Sequence, residues 1–516
     1  MRISYAVFFA FWVLALVGHA QQEGVNYLLG ETFSDRHKYS NMVAMAPDDK
    51  GGTVVVRSYF QGVVLKPKGY LIEHYNEEME LLSEYNYKLK NANFVEAFVR
   101  NGQVYLLFLE YDLAAMAYTY TVHRSPFGAH NFTSEVLLTI PSEWVAEPLD
   151  RKFGNRDFSN GFTTSVLFNE AKSAFAITTH VKRRKVDQYF IHVFDANLNK
   201  RLEHDFSDKA ADKNYAFENV AFSTDLDQVY LTGKAYPKKS RFKATERRFQ
   251  YEVVRVAANG AQVRHLSDAG KFPEALKPII KGNQLLCLGF YADRKDNRYN
   301  GIVHYALDPT NLEVRARKYN AFTEQFMQDK FGREDDASIK NLVFKSLDLT
   351  DDGHILFNAE EQFTSTSIQS NSSGGRVMVT RYHYNDIVSV KLDGDGNMLW
   401  ARNINKTEVT QGDDAYTSYA AHTQGGKTHF FISSAMEQPQ ALGPDRIMFK
   451  QGFSKTRNLF LITLDAQGAM TYKKLIDSGE ARLPLMVSRP LKRADRGGLT
   501  FYAKRGSKKQ LVQILL

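Results

Sequence analysis

Cysteine is almost absent from this 516-residue sequence, which contains a single one. A disulfide framework and a metal site held by paired cysteines are therefore both excluded. Cys287 lies in the apolar run 285–288, where a lone cysteine most often packs as a small hydrophobic side chain. A chain without disulfides relies on a large core, and 43% hydrophobic and 13% aromatic residues can supply one.

Long apolar runs are missing except at the N-terminus. Arg2 is followed by the almost wholly apolar stretch 3–17 and by Gly18-His19-Ala20, a pattern typical of a secretory signal. No later stretch reaches about 18 apolar residues, so we expect no membrane span once the signal is removed. We expect a signal peptide at 1–20 and one domain at 21–516, exported to the periplasm or the cell exterior. An uncleaved N-terminal anchor is the alternative.

Charge of one sign is only mildly in excess, with a formal net charge of +8. Loss of Arg2 with the signal reduces it to about +7. Such an excess permits acidic partners without requiring them. Nucleic acid is not expected as a partner, because export removes it and no aromatic stacking motif accompanies the basic runs.

Motifs for catalysis, metals and cofactors are also missing. Residues 421–428 end like a phosphate-binding loop, but Ala421 occupies the first glycine position and a strand pattern follows. Residues 393–397 imitate the start of a calcium loop, but Met398 replaces its glycine and Asn405 its final glutamate. We interpret both as hairpin turns. No metal site and no cofactor is predicted, and the sequence indicates a non-enzyme more than an enzyme.

The clearest feature present is a hairpin at 384–400, in which two apolar strands flank Asp393-Gly-Asp-Gly-Asn397. Such short polar and glycine residues favour a tight turn. The same unit recurs roughly every 50 to 85 residues, at 70–87, 118–140, 189–206, 251–266, 302–319, 387–404 and 459–476. Another strand pair precedes each copy. Units of four strands at this spacing predict an all-β fold, a β-propeller of four-stranded antiparallel blades.

The chain ends fix the expected number of blades. Seven complete units extend from Met42 to Ile476, and only three strands follow, at 485–490, 499–504 and 510–515. The stretch 25–33 near the N-terminus can supply the fourth strand. We therefore predict eight blades closed by an N-terminal strand, with seven as the alternative. Helix is expected only near 323–331, capped by Thr323 and Gly332, and in the segment 142–149.

Basic residues concentrate in the links between the second and third strands, which emerge on one face of a propeller. Long insertions at 141–161, 362–384 and 436–457 stand beside this face. Within these links we predict a binding site formed by Arg183, Arg184, Arg241, Arg298, Arg381, Tyr382, His383 and Tyr384. The last such link also contains Lys504, Arg505, Lys508 and Lys509. Scattered solubilising charge is the alternative interpretation.

Two segments resemble known proteins. Gly289–Tyr291 with Gly301–Tyr305, followed by Tyr382–Ile387 and Gly396–Trp400, resemble exported propeller-like proteins of Bacteroidetes-type bacteria whose function is unassigned. The resemblance covers about residues 280–435 and implies export and a propeller, without catalytic residues. The turn Asp393-x-x-Gly396-x-x-x-Trp400 also looks like the docking motif of quinoprotein repeats. It occurs once and is one residue short, so it predicts no quinone cofactor.

From these features we expect an exported, monomeric, non-catalytic propeller. It would bind a protein or glycan of the cell envelope or exterior on its basic, insertion-rich face. The alternative is a carbohydrate-active hydrolase or lyase that uses loop or channel carboxylates.

Overall fold

β-Strands make up most of the described chain in a computed structural model. The structure describes residues 24–516 apart from 63–65, 90–91, 113, 116, 142–161, 184–185, 211, 239–247, 269, 294–297, 333–338, 351, 371–374, 413, 444–445, 453–455 and 494–496. The predicted signal peptide and the predicted helix at 142–149 lie outside these residues.

The strands form eight sheets, each built on four antiparallel strands, and we number these blades along the chain. Blade 1 contains β3 (Ser40–Pro47), β4 (Thr53–Gln61), β5 (Lys66–Tyr75) and β6 (Leu81–Tyr87), and blade 2 contains β7 (Ala92–Arg100), β8 (Gln103–Asp112), β9 (Ala117–Pro126) and β10 (Thr133–Pro141). Blade 3 contains β11 (Phe162–Phe168), β12 (Ala174–Arg183), β13 (Val186–Asp195) and β14 (Lys200–Asp205). Blade 4 contains β15 (Lys213–Phe222), β16 (Gln228–Pro237), β17 (Gln250–Ala257) and β18 (Gly260–His265).

Blades 5 to 8 complete the ring. Blade 5 contains β19 (Phe272–Lys281), β20 (Gln284–Ala292), β21 (Gly301–Leu307) and β22 (Val314–Ala321), and blade 6 contains β23 (Leu342–Leu349), β24 (Ile355–Ser370), β25 (Arg376–Leu392) and β26 (Met398–Thr410), with β29 (Gln440–Gly443) and β30 (Arg446–Lys450) added at the outer edge. Blade 7 contains β27 (Ala420–Gln424), β28 (Lys427–Ser434), β31 (Asn458–Leu464) and β32 (Met470–Ile476). Blade 8 contains β33 (Leu491–Arg493), β34 (Gly498–Arg505) and β35 (Lys508–Leu515), with β1 (Asn26–Leu29) and β2 (Phe33–Ser34).

The fold is therefore the predicted eight-bladed β-propeller, and all seven predicted hairpins are the third and fourth strands of their blades. The alternative of seven blades was wrong. First strands of neighbouring blades contact each other, as between β15 and β19, so these strands lie innermost around a central channel. Buried aliphatic and aromatic side chains fill the spaces between adjacent blades.

An N-terminal strand closes the ring, as predicted from 25–33. β1 pairs with β35 from Asn26 opposite Leu515 to Leu29 opposite Val512, and β2 pairs with the same strand. The first segment of the domain thus supplies the fourth strand of the last blade, which leaves that blade without the bare edge it would otherwise have.

The turns after the third strands of blades 6 and 7 share one hydrogen-bond pattern. The Asp393 carboxylate accepts backbone hydrogen bonds from Asp395 at 3.0 Å and Asn397 at 2.8 Å. Asp465 accepts the equivalent bonds at 2.9 and 2.8 Å. Asp side chains stabilise tight turns in this way. The prediction that 393–397 and 421–428 are hairpin turns is confirmed, because β25 continues directly into β26 and β27 into β28.

These turns also attach one blade to the preceding one. Gly396 has a φ of +82° and lies so close to the ring of His304 that a Cβ atom would come within 2.4 Å of it. Gly468 lies against Trp400 in the same manner, and the Trp400 Nε1 donates a 3.0 Å hydrogen bond to the Ala466 carbonyl. Only glycine tolerates this combination of left-handed backbone and close approach.

Three helices accompany the strands in the described part of the chain: α1 (Ser207–Ala210), α2 (Glu324–Phe331) and α3 (Ser478–Ala481). The prediction for α2 is confirmed, since Thr323 caps its start and Gly332 its end. The single-turn helices α1 and α3 were not predicted, because four residues are too few to show a helical period. No helix in the described residues is long and apolar enough to cross a membrane.

Candidate functional site

The main cavity lies in the central channel, where the inner strands of blades 3 to 7 end. Its volume is about 1150 Å³. The residues that line it are Asn169, Glu170, Ser173, 220–224, Leu226, 277–280, 347–350, Asp352, 423–426 and Ala466. Its wall thus combines apolar strand residues with the turns that follow the first strands. We call this cavity the channel mouth.

Lys277 is the cation in the wall of the channel mouth. A β-bulge directly precedes it: the pairing of β19 with β20 shifts between Glu274 and Lys277, and Ala275 has a φ of +55°. Bulges of this kind redirect the side chains that follow. In the described part of the chain, no acceptor or carboxylate lies within bonding distance of the Lys277 ammonium. Burial lowers the pKa of Lys277, and the more distant charge of Glu170 only partly opposes this effect.

Asp348 lies on the inner strand β23 and contributes the opposite charge. Its Oδ2 accepts a 3.0 Å hydrogen bond from the Thr423 hydroxyl, and no ammonium or guanidinium of the described residues lies within 4.0 Å of it. Burial raises the pKa of Asp348, against the more distant charge of Lys492. Burial without a counter-ion disfavours a charged side chain. Asp348 and Lys277 are thus opposite charges that share a cavity without forming an ion pair.

Glu170 differs from both, because it already has a partner. Its Oε1 lies 3.1 Å from the Lys492 Nζ, and both side chains are about half exposed. This ion pair occupies the rim of the channel mouth. Solvent screens such a pair strongly. Glu170 is therefore compensated, whereas Lys277 and Asp348 in the wall have no counter-ion within 4.0 Å among the described residues.

The predicted binding residues do not converge on this cavity. Arg381, Tyr382, His383 and Tyr384 all lie on the long strand β25. The Arg381 Nη1 donates to the Ser367 hydroxyl at 2.8 Å, His383 stacks on Phe363 with ring centroids 4.3 Å apart, and Tyr384 donates to Asp414. The first two contacts join β25 to β24, and the third joins β25 to the segment that follows β26.

The remaining predicted residues are spread over other blades. Arg183 ends β12 in blade 3, and Arg298 lies before β21 in blade 5. Arg184 and Arg241 lie outside the described residues. Arg183 and Arg298 thus lie in different blades.

Part of the predicted basic face is not exposed, because two of its lysines are buried. Lys504 and Lys509 are 4% and 0% exposed, and they contact Asp35 and Glu73 at the junction of blades 8 and 1. These carboxylates compensate the charges of both lysines inside the protein. Basic residues in a link between strands were read as surface charge, but two of the four in the last link are core ion-pair residues.

Sequence reasoning missed Lys277 and Asp348. They lie on the inner strands Phe272–Lys281 and Leu342–Leu349, which also contain the charged residues Glu274, Lys281 and Lys345. The sequence pattern therefore does not distinguish Lys277 and Asp348 from their charged neighbours. In the described residues there is no group of three or more His, Cys, Asp or Glu side chains placed to hold a metal ion.

Comparison with known proteins gives a fold and little more. No family model and no curated protein matches the chain. Among solved structures, it is similar to the β-propeller domain of the Trilobed protease from Pyrococcus furiosus, at 10% identity and a TM-score of 0.35, covering 86% of this chain and 97% of that one. It is also similar to an acylaminoacyl peptidase in complex with Z-Gly-Gly-Phe-chloromethyl ketone, at 10% identity and a TM-score of 0.36, covering 91% of this chain.

A third match is a prolyl endopeptidase, at 10% identity and a TM-score of 0.32. The chain spans about half the length of the two larger enzymes, 58% and 46%. The prediction of a non-catalytic binder of protein or glycan was wrong on this finding, because the matched propellers belong to peptidases. The reason for the error is physical: a propeller without catalytic motifs presents the same strand pattern whether or not it serves an enzyme.

Proposed function

We propose that this chain is a peptidase-related propeller, which admits short peptides to the channel mouth and orients them by their charged ends. The single observation that carries the proposal is the placement of Lys277 and Asp348 in one cavity without an ion pair between them. A short peptide carries one carboxylate and one ammonium, so it can compensate both charges at once. A ligand of one charge sign would leave one of them buried and unpaired.

The size of the cavity supports a peptide of a few residues. A volume of about 1150 Å³ lies just above the usual range for small-molecule sites, about 300 to 1,000 Å³. An extended chain advances about 3.3 Å per residue. Apolar wall residues such as Val220, Ile279 and Leu347 offer contacts to side chains between the two ends. The proposal assigns the channel mouth a selecting role and names no hydrolytic residue.

Binding of tetrapeptides tests the proposal. We expect a peptide with both ends free to bind by titration calorimetry, and N-acetylation or C-amidation to weaken binding about tenfold each, as loss of a charged hydrogen bond of about 1.5 kcal/mol requires. Lys277→Met should weaken binding of the peptide with free ends and leave binding of the amidated peptide unchanged. Lys473→Met, on the exposed outer strand β32, is the matched control.

Equal binding of free and end-blocked peptides would contradict the proposal, as would no binding of any peptide at millimolar concentration. Mass spectrometry of the same mixtures shows whether the chain also cleaves what it binds. Cleavage would extend its role from selection to catalysis.

A further inference from the structure

Two strands of blade 6 extend far beyond their neighbours. β24 and β25 contain 16 and 17 residues, and they remain paired out to Ser370 opposite Arg376. We call residues 362–370 and 376–384 the ribbon. An isolated two-stranded ribbon is only marginally stable in water, and three or more strands are needed for independent stability.

One edge of the ribbon has no partner strand. β23 accompanies β24 only as far as Glu361, which lies opposite Leu342. Beyond that residue, no strand of the described chain pairs with the outer edge of β24. Its backbone donors and acceptors between Phe363 and Ser370 therefore point away from the sheet, and such an edge is a template for another strand.

The composition of this edge lacks every usual protection. Residues 363–370 read Phe-Thr-Ser-Thr-Ser-Ile-Gln-Ser and contain neither charge nor proline. Natural edges are normally blocked by lysine, proline or a bulge. The opposite edge of the ribbon does carry charge, at Arg376 and Arg381. The two edges of the ribbon thus differ in charge: the β25 edge carries arginines and the β24 edge carries no charge.

An exposed apolar pair lies on the same segment. Ile368 and Met378 are cross-strand partners, and they are 70% and 72% exposed. Tyr382, on the same face two positions along β25 from Thr380, is 43% exposed. Side chains on one face of a sheet alternate along each strand, so Ile368, Thr366 and Thr364 form one row on β24.

We infer that two copies of this chain associate by pairing their β24 edges antiparallel, with Thr366 on the two-fold axis. This register pairs the whole free edge with itself, and each Thr364 then lies opposite Ile368 of the second copy. The resulting sheet has four strands in place of two.

Side-chain chemistry favours a second copy as the occupant. Across the joined sheet, Met378 and Ile368 of one copy align with Thr364 and Tyr382 of the other, which places β-branched and aromatic neighbours side by side. No charge faces a like charge, since the edge carries none. Self-pairing through the β25 edge would instead bring the arginines of two copies together, which destabilises a sheet.

Sedimentation of the purified chain between 1 and 100 μM tests the inference. We expect a dimer, of about twice 58.8 kDa, to dominate at the upper end. Thr366→Lys should give a monomer, because two ammonium groups would meet on the axis. Thr380→Lys is the matched control: Thr380 is the partner of Thr366 within the ribbon and lies one strand away from the new contact, so its dimer should persist.

Cross-linking gives a positive test with the same pair of positions. Directly opposed residues of antiparallel strands have Cα atoms about 4.5 to 5.5 Å apart, within the range of a disulfide. Thr366→Cys should therefore form an intermolecular disulfide under mild oxidation. Thr380→Cys should not, because three strand spacings separate the two copies of that residue, about 14 Å. The native Cys287 is buried and does not interfere.

A monomer at every concentration would overturn the inference, whether or not the ribbon captured a foreign peptide or an anionic lipid vesicle. A Thr366→Lys dimer as strong as the unaltered chain would overturn it as well. Both readouts are independent of peptide binding at the channel mouth, since the ribbon belongs to other segments of the chain.

Discussion

Two groups of charged residues in this propeller use the same side chains in opposite ways. At the junction of blades 8 and 1, Arg57 contacts Asp35 at 2.8 Å and donates from Nε to Glu73 at 2.9 Å, and Lys509 approaches Glu73 at 2.8 Å. All of these groups are buried and all are compensated. In the channel mouth, Lys277 and Asp348 share a cavity and neither has a counter-ion. The difference teaches that a buried charge indicates a site when it is uncompensated, not merely when it is present.

The pKa directions reflect this contrast. Burial alone would raise the pKa values of Asp35 and Glu73, but the charge of Arg57 and hydrogen bonds from the lysines lower both. In the channel mouth burial prevails, so the pKa of Asp348 is raised and that of Lys277 is lowered. The junction network therefore stabilises the ionised carboxylates, although burial lowers the pKa of Lys504 there, whereas burial in the channel mouth destabilises the charged forms of both Asp348 and Lys277.

The largest expected effect is at the junction. Glu73→Gln removes the charge that compensates Arg57 and Lys509, and it disturbs the hydrogen bond from the Tyr75 hydroxyl at 2.9 Å. Removing one member of a buried ion network typically costs about 3 to 5 kcal/mol. We expect denaturant unfolding to show a loss of that size. Glu203→Gln, on the exposed outer strand β14, should lose less than about 1 kcal/mol. A loss at Glu73 as small as at Glu203 would contradict the proposed difference.

The pH dependence of the junction has a definite sign. Because the folded pKa values of Asp35 and Glu73 are lowered, their contribution to stability is complete above the unfolded carboxyl pKa of about 4. It is lost as the pH falls through the folded values. We expect the melting temperature of the unaltered chain to fall steeply below pH 4, and that of Glu73→Gln to fall less steeply. Parallel pH profiles would contradict this assignment.

The next largest effect on stability is expected from deleting the N-terminal strand that closes the ring. Deleting residues 21–34 removes β1 and β2 and exposes one edge of β35. We expect the melting temperature to fall by several degrees and the shortened chain to associate through the bare edge. Deleting only 21–24 keeps β1 and serves as the control. An unchanged melting point, with no association beyond that of the unaltered chain, would show that the segment is merely a tether.

Much of this fold followed from local chemistry. The Asp–Gly turns and period-two strands repeat often enough to define eight blades, and the strand missing from the C-terminal group pointed to residues 25–33. The position of α2 followed from Thr323 and Gly332. The extent of β24 and β25 did not follow, because the polar Ser and Thr residues of 364–370 resembled a loop, although they are β-branched or small enough for a strand.

The candidate site could not be predicted in the same way. Lys277 and Asp348 lie 71 positions apart in the chain, and only the ring arrangement of blades 5 and 6 brings them to one cavity. Whether a charge is paired is equally invisible in sequence. Lys509 and Lys277 are both lysines on β-strands, yet one is compensated by Glu73 and the other is not.

A smaller effect of opposite sign is expected at Asp348. Because burial raises its pKa, the ionised carboxylate lowers stability near neutral pH, and Asp348→Asn should raise the unfolding free energy by up to about 1 kcal/mol. The amide oxygen can still accept from Thr423. The gain should shrink as the pH falls through the folded pKa of Asp348, where the native side chain becomes neutral as well. A loss of stability at pH 7 would show that Asp348 is compensated after all.

The smallest effect concerns Lys277. Its folded pKa is lowered by burial, so the ammonium lowers stability at every pH below that value, and the loss diminishes as the pH rises through it. Lys277→Met keeps the length of the side chain without the charge. We expect a gain of about 0.5 kcal/mol at pH 7, measured by denaturant unfolding, which declines at alkaline pH. Lys473→Met, on an exposed strand, should change nothing measurable. If Lys277→Met gains stability and loses peptide binding, the charge of Lys277 lowers the stability of the fold but is needed for binding. A binding site is expected to show this combination, and a structural contact is not. A destabilised Lys277→Met would place Lys277 with the junction lysines, among residues that support the ring.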